Sequence, residues 1–299
     1  MRGAGNKKES PCRELWGREA MKISELTESI VGRIYRPDRL NRIGRALTRV
    51  NNIINTRIRE LEANPAPGRD YLQPSIRKKR TPWSGITTPE CDIPGMITSE
   101  ECQYYSYIGQ FYKGAGEVVE LGPWLGRSTF YILHGLERNP RFTRKLHVYD
   151  DFTWRSDWMD DKVPENERYP HHADFMPLFG KYTQSFRDKI NVHKRKIVTY
   201  DGNDNIEQLT WDGKPIEIMY IDCGRTFAAN EAWWAVFKDS FIPGKTLIIL
   251  EDWNTHSEVP VKWYNQLHQW VESHKDSMHL VHELRNGGIA MFVYSDRQQ

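Results

Sequence analysis

The period of the apolar positions changes along the chain, and each change marks an element. Between Pro37 and Ala63, Leu40, Ile43, Leu47, Val50, Ile54, Ile58 and Leu61 recur every three or four residues. That is one stripe on a helix, with Arg39, Arg42, Arg45, Arg49, Arg57 and Arg59 on the rest of its surface. Residues 64–85 mix proline, glycine and charge in the manner of a linker or extended arm. Beyond Gly85, short apolar runs alternate with helical periods. Strands are expected at Glu117–Leu121, Leu146–Asp150, Ile190–Ile197, Ile216–Asp222 and Thr246–Glu251. Two more, Met278–Leu284 and Ile289–Tyr294, flank a tight turn at Arg285–Gly288. Helices are expected at Ser99–Lys113 (capped by Thr98 or Ser99), Ser128–Arg138, Asn203–Leu209, Ala228–Phe237 and Val259–His274. Residues 152–180 have no clear period and many aromatics.

Strands that alternate with helices call for a mostly parallel sheet covered on both faces, with right-handed crossovers. The expected fold is α/β: a Rossmann-like, mostly parallel seven-stranded sheet ending in an antiparallel hairpin. Residues 1–85 form a basic helical extension and linker, and 86–299 the main domain.

Composition adds bounds. The 299 residues are 38% apolar and 27% charged, enough for a core that needs no covalent staples. Cys12, Cys91, Cys102 and Cys223 make no C-x-x-C pair, which suits free thiols in a reducing compartment. No apolar run reaches the ~18 residues of a membrane span, and the charged first residues lack the apolar region of a secretory signal. The expected location is cytoplasmic. The net charge of +2 conceals an asymmetry: 19 Lys and Arg against 9 Asp and Glu up to Gly85, then 23 against 31. A basic arm can meet nucleic acid, an anionic membrane surface, or the acidic body of its own or a neighbouring chain. Few aromatics and no binding signature in the arm count against nucleic acid. The apolar stripe reads first as packing on its own domain or on a second subunit, so a homo-oligomer is expected.

In an open parallel sheet a ligand sits beyond the carboxyl ends of the strands. The first strand runs into Glu120-Leu-Gly122-Pro-Trp124-Leu-Gly126-Arg-Ser128, where two glycines permit a tight turn and Ser128 can cap the next helix. This is neither the G-x-G-x-x-G dinucleotide pattern nor a phosphate loop. The second strand ends in Asp150-Asp151, the fourth in Asp222 and the fifth in Glu251-Asp252. So many carboxylates in one cleft would raise one another's pKa values unless a cation relieved them, and a divalent ion takes carboxylate oxygens.

The glycine corner, the acid after the next strand, Ile-Asp222-Cys-Gly-Arg225, and Pro243-Gly-Lys with LEDW together resemble the class I S-adenosylmethionine-dependent methyltransferases. More narrowly they are similar to the small-molecule O-methyltransferases of the catechol and macrocin type, over roughly residues 90–295. The lead-in Pro94–Glu101 is similar to the helix that closes over the cofactor in that group. The resemblance implies that S-adenosylmethionine is held by Glu120 at the methionine amino group and by Gly122, Trp124, Gly126 and Ser128 along the methionine and ribose. Asp150 would bind the ribose hydroxyls, Asp151 and Phe152 would edge the adenine with Asp201 and Asn203 near it, and Asp222 would reach the reacting end. Asp222, Glu251 and Asp252 fall on the positions of a divalent metal such as Mg2+. Two residues depart from the pattern. Arg225 stands where the family has its basic His or Lys, and a guanidinium does not give up its proton. Glu251 replaces an aspartate.

The expected activity is O-methylation of a small polyhydroxylated acceptor, a sugar or natural product, with metal assistance. His256, four residues past Asp252, is the replacement base in reach; it can equally cap the helix at Ser257. Arg225 either anchors an anionic part of the acceptor or pairs with Glu251. The aromatics from Trp154 to Tyr182 suit an acceptor lid. The alternative is a non-catalytic module with the same fold that binds a partner through its basic arm.

Overall fold

The computed structural model describes residues 81–253, 265–284 and 288–296. The arginine-rich stripe at 37–63, most of the arm, His256, the start of the helix expected from Val259 and the turn at 285–287 lie outside the described residues. In chain order the elements are α1 (Ser99–Gly109), β1 (Glu117–Leu121), α2 (Arg127–Leu136), β2 (Leu146–Asp150), α3 (Ser156–Met159) and α4 (Met176–Tyr182). They continue with β3 (Ile190–Lys194), β4 (Ile216–Ile221), α5 (Phe227–Phe237), β5 (Leu247–Leu250), α6 (Asn265–Ser273), β6 (Met278–Glu283) and β7 (Ala290–Tyr294).

The strands form one sheet in the order β3-β2-β1-β4-β5-β7-β6. Strands β1 to β5 run parallel, and β7 is antiparallel to both β5 and β6. This is the Rossmann-like α/β sheet with a terminal antiparallel hairpin. The chain moves outward from β1 in one direction through β2 and β3, then returns to β4 on the other side. A crevice therefore opens beyond the carboxyl ends of β1 and β4.

Every residue of β1, β4 and β5 is buried, which is why they read as unbroken apolar runs. Successive side chains go to opposite faces. Val118, Ile218, Tyr220 and Ile249 join the core under α1 and α2, while Val119, Leu121, Met219 and Ile248 join the core under α5 and α6. The second core contains Trp233 and Trp234 of α5 and Trp270 of α6. Tyr104, Tyr105 and Tyr107 of α1 are buried in the first core. The core also reaches back to Trp83, which stands edge-on to Tyr104.

The start of α1 follows its sequence signal. Thr98 Oγ1 accepts from the Glu101 N–H at 3.3 Å, and Glu101 returns a bond to the Thr98 N–H at 2.6 Å, a reciprocal cap that satisfies two orphan donors. Three expectations fail, each for a physical reason. Residues 203–209 are not helical. The Asn203 side chain is committed to Asp151 and the Val198 carbonyl, and the Lys196 N–H donates to the Glu207 carbonyl while its own carbonyl accepts from the Leu209 N–H, which holds 207–209 extended beside the end of β3. Strand β3 itself stops at Lys194, where Arg195 N–H turns to the Asp150 carbonyl. The aromatics of 152–182 mostly fill the core: Trp154, Phe175 and Phe179 are buried with Phe152, and from the expected acceptor lid Arg155, Trp158 and Met159 line the cleft, of which Trp158 alone is aromatic.

Candidate active site

The corner after β1 has a backbone that side chains resist. Gly122, Trp124 and Gly126 all have positive φ, at 83°, 46° and 96°. A Cβ on Gly122 would stand 2.6 Å from the Asp222 carbonyl oxygen, so glycine here lets the end of β1 lie against the end of β4. Its N–H is bonded to the Tyr149 carbonyl of β2 at 2.9 Å. One residue thus joins three strand ends. Gly126 caps α2 in the left-handed conformation, and a Cβ there would meet the Thr183 methyl at 2.6 Å.

These strand ends enclose a cleft of about 600 Å³, within the usual size of a small-molecule site. Seven of the residues expected at the site line it: Gly122, Trp124, Ser128, Asp150, Asp151, Asp222 and Arg225. The lead-in residues Pro94 to Ile97 also line it, in the place given to the closing segment, although helix α1 itself begins only at Ser99.

The acids after β2 divide their tasks. Asp151 receives both terminal nitrogens of Arg155, at 3.2 and 2.6 Å, and the Asn203 amide at 2.7 Å. Burial works to raise its pKa, but these bonds bring it below the ordinary aspartate value. Asp150 takes the Phe152 N–H at 2.7 Å. Burial, then the neighbouring Asp151 charge, push it up to about 7. A carboxylate so placed at the end of the second strand, facing a cleft, is the group that grips ribose hydroxyls in nucleotide-binding α/β folds.

The other expected residues sit outside the lining. Glu120 points into the α1–α2 side of the core, where Ser128 and Thr129 donate to its two oxygens at 2.6 and 2.7 Å. Burial pushes it up to about 7 against those bonds. It holds the first turn of α2 from behind the wall. Phe152 is packed against Phe175 and Phe179. Asp201 is exposed and faces His172. Asn203, fully buried, braces Asp151.

Near the ends of β4 and β5, Arg225 Nε donates to Asp252 and the Tyr105 hydroxyl donates to Glu251. Asp222 is raised well above the ordinary range by burial, then by Asp252, with Arg225 acting against both. Glu251 is raised by burial, then by Asp222 and Glu101. The expected pairing of Arg225 with Glu251 is instead a pairing with Asp252. The three carboxylates also do not fit a metal: one is bound to a guanidinium and one to a phenol. Among the described residues no three His, Cys, Asp or Glu side chains are grouped to hold an ion.

The chain does fit the nucleoside-bearing cofactor. Trp124 is 9% exposed, yet its indole N–H meets no acceptor and the ring lines the cleft, a buried donor of the kind that calls for a partner. The first turn of α2 presents its N–H groups at the same wall, with Ser128 in the lining. Sequence reasoning missed Arg155, Arg195, Ile197 and Tyr200. Of these only Arg155 left a trace, four residues after Asp151, and it also lies over the Tyr200 ring at 5.4 Å.

A glycine corner, a carboxylate after the second strand and a crevice at the reversal of strand order are the features by which nucleotide-binding α/β folds hold a nucleoside. No protein-family model and no curated protein matches the chain. Among solved structures it is similar to a methyltransferase of Podospora anserina bound to S-adenosylhomocysteine, at 9% identity over 67% of this chain and 80% of that one, with a TM-score of 0.43. It is also similar to the O-methyltransferase NovP, at 14% identity over 60% and 72% of the two chains, TM-score 0.39. A third is the TDP-rhamnose 3'-O-methyltransferase CalS11 of calicheamicin biosynthesis, at 12% identity over 81% and 93%, TM-score 0.39. The functional reading below therefore stands on the residues of the cleft.

Proposed function

We propose that this chain is an S-adenosylmethionine-dependent methyltransferase that methylates a hydroxyl of a small polyhydroxylated acceptor. The observation that carries the reading is the meeting of Asp150, Asp222 and the Gly122 corner in one cleft at adjoining strand ends. S-adenosylmethionine, when bound, supplies a methyl group on a sulfonium that an oxygen nucleophile can displace. The chain's residues do the rest. Asp150 accepts from the ribose hydroxyls. The Trp124 indole and the first turn of α2, steadied by Glu120, face the amino-acid end. Asp222, at the end of β4, lies where the acceptor enters, beside Arg225 and Thr226. Methyl transfer to a hydroxyl needs that hydroxyl aligned and its proton removed. Arg225 can orient the acceptor but cannot take a proton, so Asp222 is the described group suited to receive it, and His256 keeps its place as the other candidate.

The test is a coupled one. S-adenosylmethionine and S-adenosylhomocysteine should each raise the melting temperature of the full chain. S-adenosylhomocysteine should then be released from S-adenosylmethionine in the presence of some member of a panel of sugars, polyols and phenols. No thermal response to either compound removes the reading. Binding without turnover over the panel removes its catalytic part.

A further inference from the structure

The cation expected among the strand-end acids is already part of the chain. Arg225 follows Asp222 by three residues, after β4 and just before the Thr226 cap of α5. Its Nε donates to Asp252, the residue after Glu251 at the end of β5. The same guanidinium acts electrostatically on Asp222 and opposes the rise that burial and Asp252 impose. One positive group thus binds one of the three carboxylates at a metal's usual position in the resembling enzymes and acts through its charge on a second. The third, Glu251, is turned to the Tyr105 hydroxyl from α1. Asp252 holds this arrangement with φ at 58°, a conformation that a non-glycine residue adopts only when its surroundings fix it.

We propose that Arg225 occupies the divalent-ion position, so that this cleft is built to work without a metal and orients its acceptor with a guanidinium. A metal ion entering here would have to sit beside a fixed positive charge or displace it, and at these separations the repulsion is felt directly. Its carboxylate ligands would also have to abandon a guanidinium and a phenol. The consequence for methyl transfer rests on the function proposed above; the cation preference does not. A guanidinium also differs from a metal in what it does to a bound hydroxyl. It donates hydrogen bonds in a planar fork but coordinates no oxygen, so the proton must leave to a carboxylate or imidazole on the chain.

The experiment is a titration of the full chain with Mn2+, followed by the paramagnetic signal of free ion and by thermal shift, at constant ionic strength. Mg2+ and Ca2+ are run in parallel. Wild type should bind no stoichiometric ion, and its affinity for S-adenosylhomocysteine should be the same in chelator and in Mg2+. Arg225→Met keeps much of the stem and removes the charge. It should gain Mn2+ binding by about tenfold or more, a change of roughly 1.4 kcal/mol per decade. Arg225→Lys, which keeps a cation, should stay indifferent, and circular dichroism checks that each variant is folded. One bound Mn2+ per wild-type chain overturns the proposal. So does a folded Arg225→Met that gains no ion, because the carboxylates would then not be arranged around the guanidinium. Failure to bind S-adenosylhomocysteine at all would speak against the proposed function and leave this result readable.

Discussion

The acids after β2 and those after β4 and β5 look alike in sequence, and the structure treats them by one scheme with different partners. After β2, Asp151 is consumed by Arg155 and Asn203, which leaves Asp150 toward the cleft. After β4 and β5, Asp252 is taken by Arg225 and Glu251 by Tyr105, which leaves Asp222 toward the same cleft. In each group one acid that no arginine or tyrosine binds lines the cleft. The difference lies in the arginine. Arg155 is four residues from its aspartate within one loop and serves that loop. Arg225 reaches from one strand end to another, although both arginines line the cleft. One group is thereby suited to a neutral diol, and the other to a substrate that must be oriented and deprotonated.

Gly122 is where the two groups are tied together, so Gly122→Ala should produce the largest effect. Positive φ and the 2.6 Å approach to the Asp222 carbonyl together should cost about 3–5 kcal/mol of stability, measured by urea unfolding. A loss under about 1 kcal/mol would mean the two strand ends can part freely. Asp150→Ala should next cost about 3 kcal/mol of S-adenosylhomocysteine binding, roughly a hundredfold, while the melting temperature of the unliganded chain does not fall. Calorimetric titration reads both sides of that claim.

Glu120 sharpens the comparison because it is an acid that the same corner buries without exposing it to the cleft. Its ordinary value of 4.5 rises to about 7 through burial. Between those values the unfolded chain has lost a proton that the folded chain keeps. This contribution to stability is therefore complete below pH 4.5 and is lost as pH rises through about 7. Glu120→Gln should flatten that dependence by about 3 kcal/mol at most, seen in denaturation curves across the range. Arg155→Ala should have the smallest effect, about 1–2 kcal/mol of stability because the pair is partly exposed, with a weaker loss of cofactor affinity than Asp150→Ala. If it abolished binding outright, the paired acid and not the unshared one would be the ligand group.

The sequence carried the sheet well and the partners poorly. Strands β1, β4 and β5 were readable because burial on both faces demands an unbroken apolar run, and the Thr98–Glu101 cap was readable because it is local. Asp150 and Asp222 were readable from their places after apolar strands. Segment 203–209 was misread as a helix, since nothing local reveals that Asn203 is needed by an aspartate 52 residues earlier. Glu120 was expected at the ligand, but Ser128 and Thr129, eight and nine residues on, hold it behind the wall. The aromatics of 152–182 looked like a lid because composition alone does not distinguish a ring facing ligand from one facing Phe152. Tyr200 and Arg195 gave no signal, because their place in the cleft comes from the path of the chain after β3.

The central claim, that Asp150 is the group that grips the cofactor's ribose, is tested most directly by S-adenosylhomocysteine affinity as a function of pH in wild type and Asp150→Asn. Because burial and Asp151 hold Asp150 up to about 7, wild-type affinity should strengthen as pH rises through that value and the carboxylate ionises, then level off. Asp150→Asn should bind weakly with no such rise. Equal affinity and an identical pH profile in the two proteins, or no binding by wild type at any pH, would contradict the account.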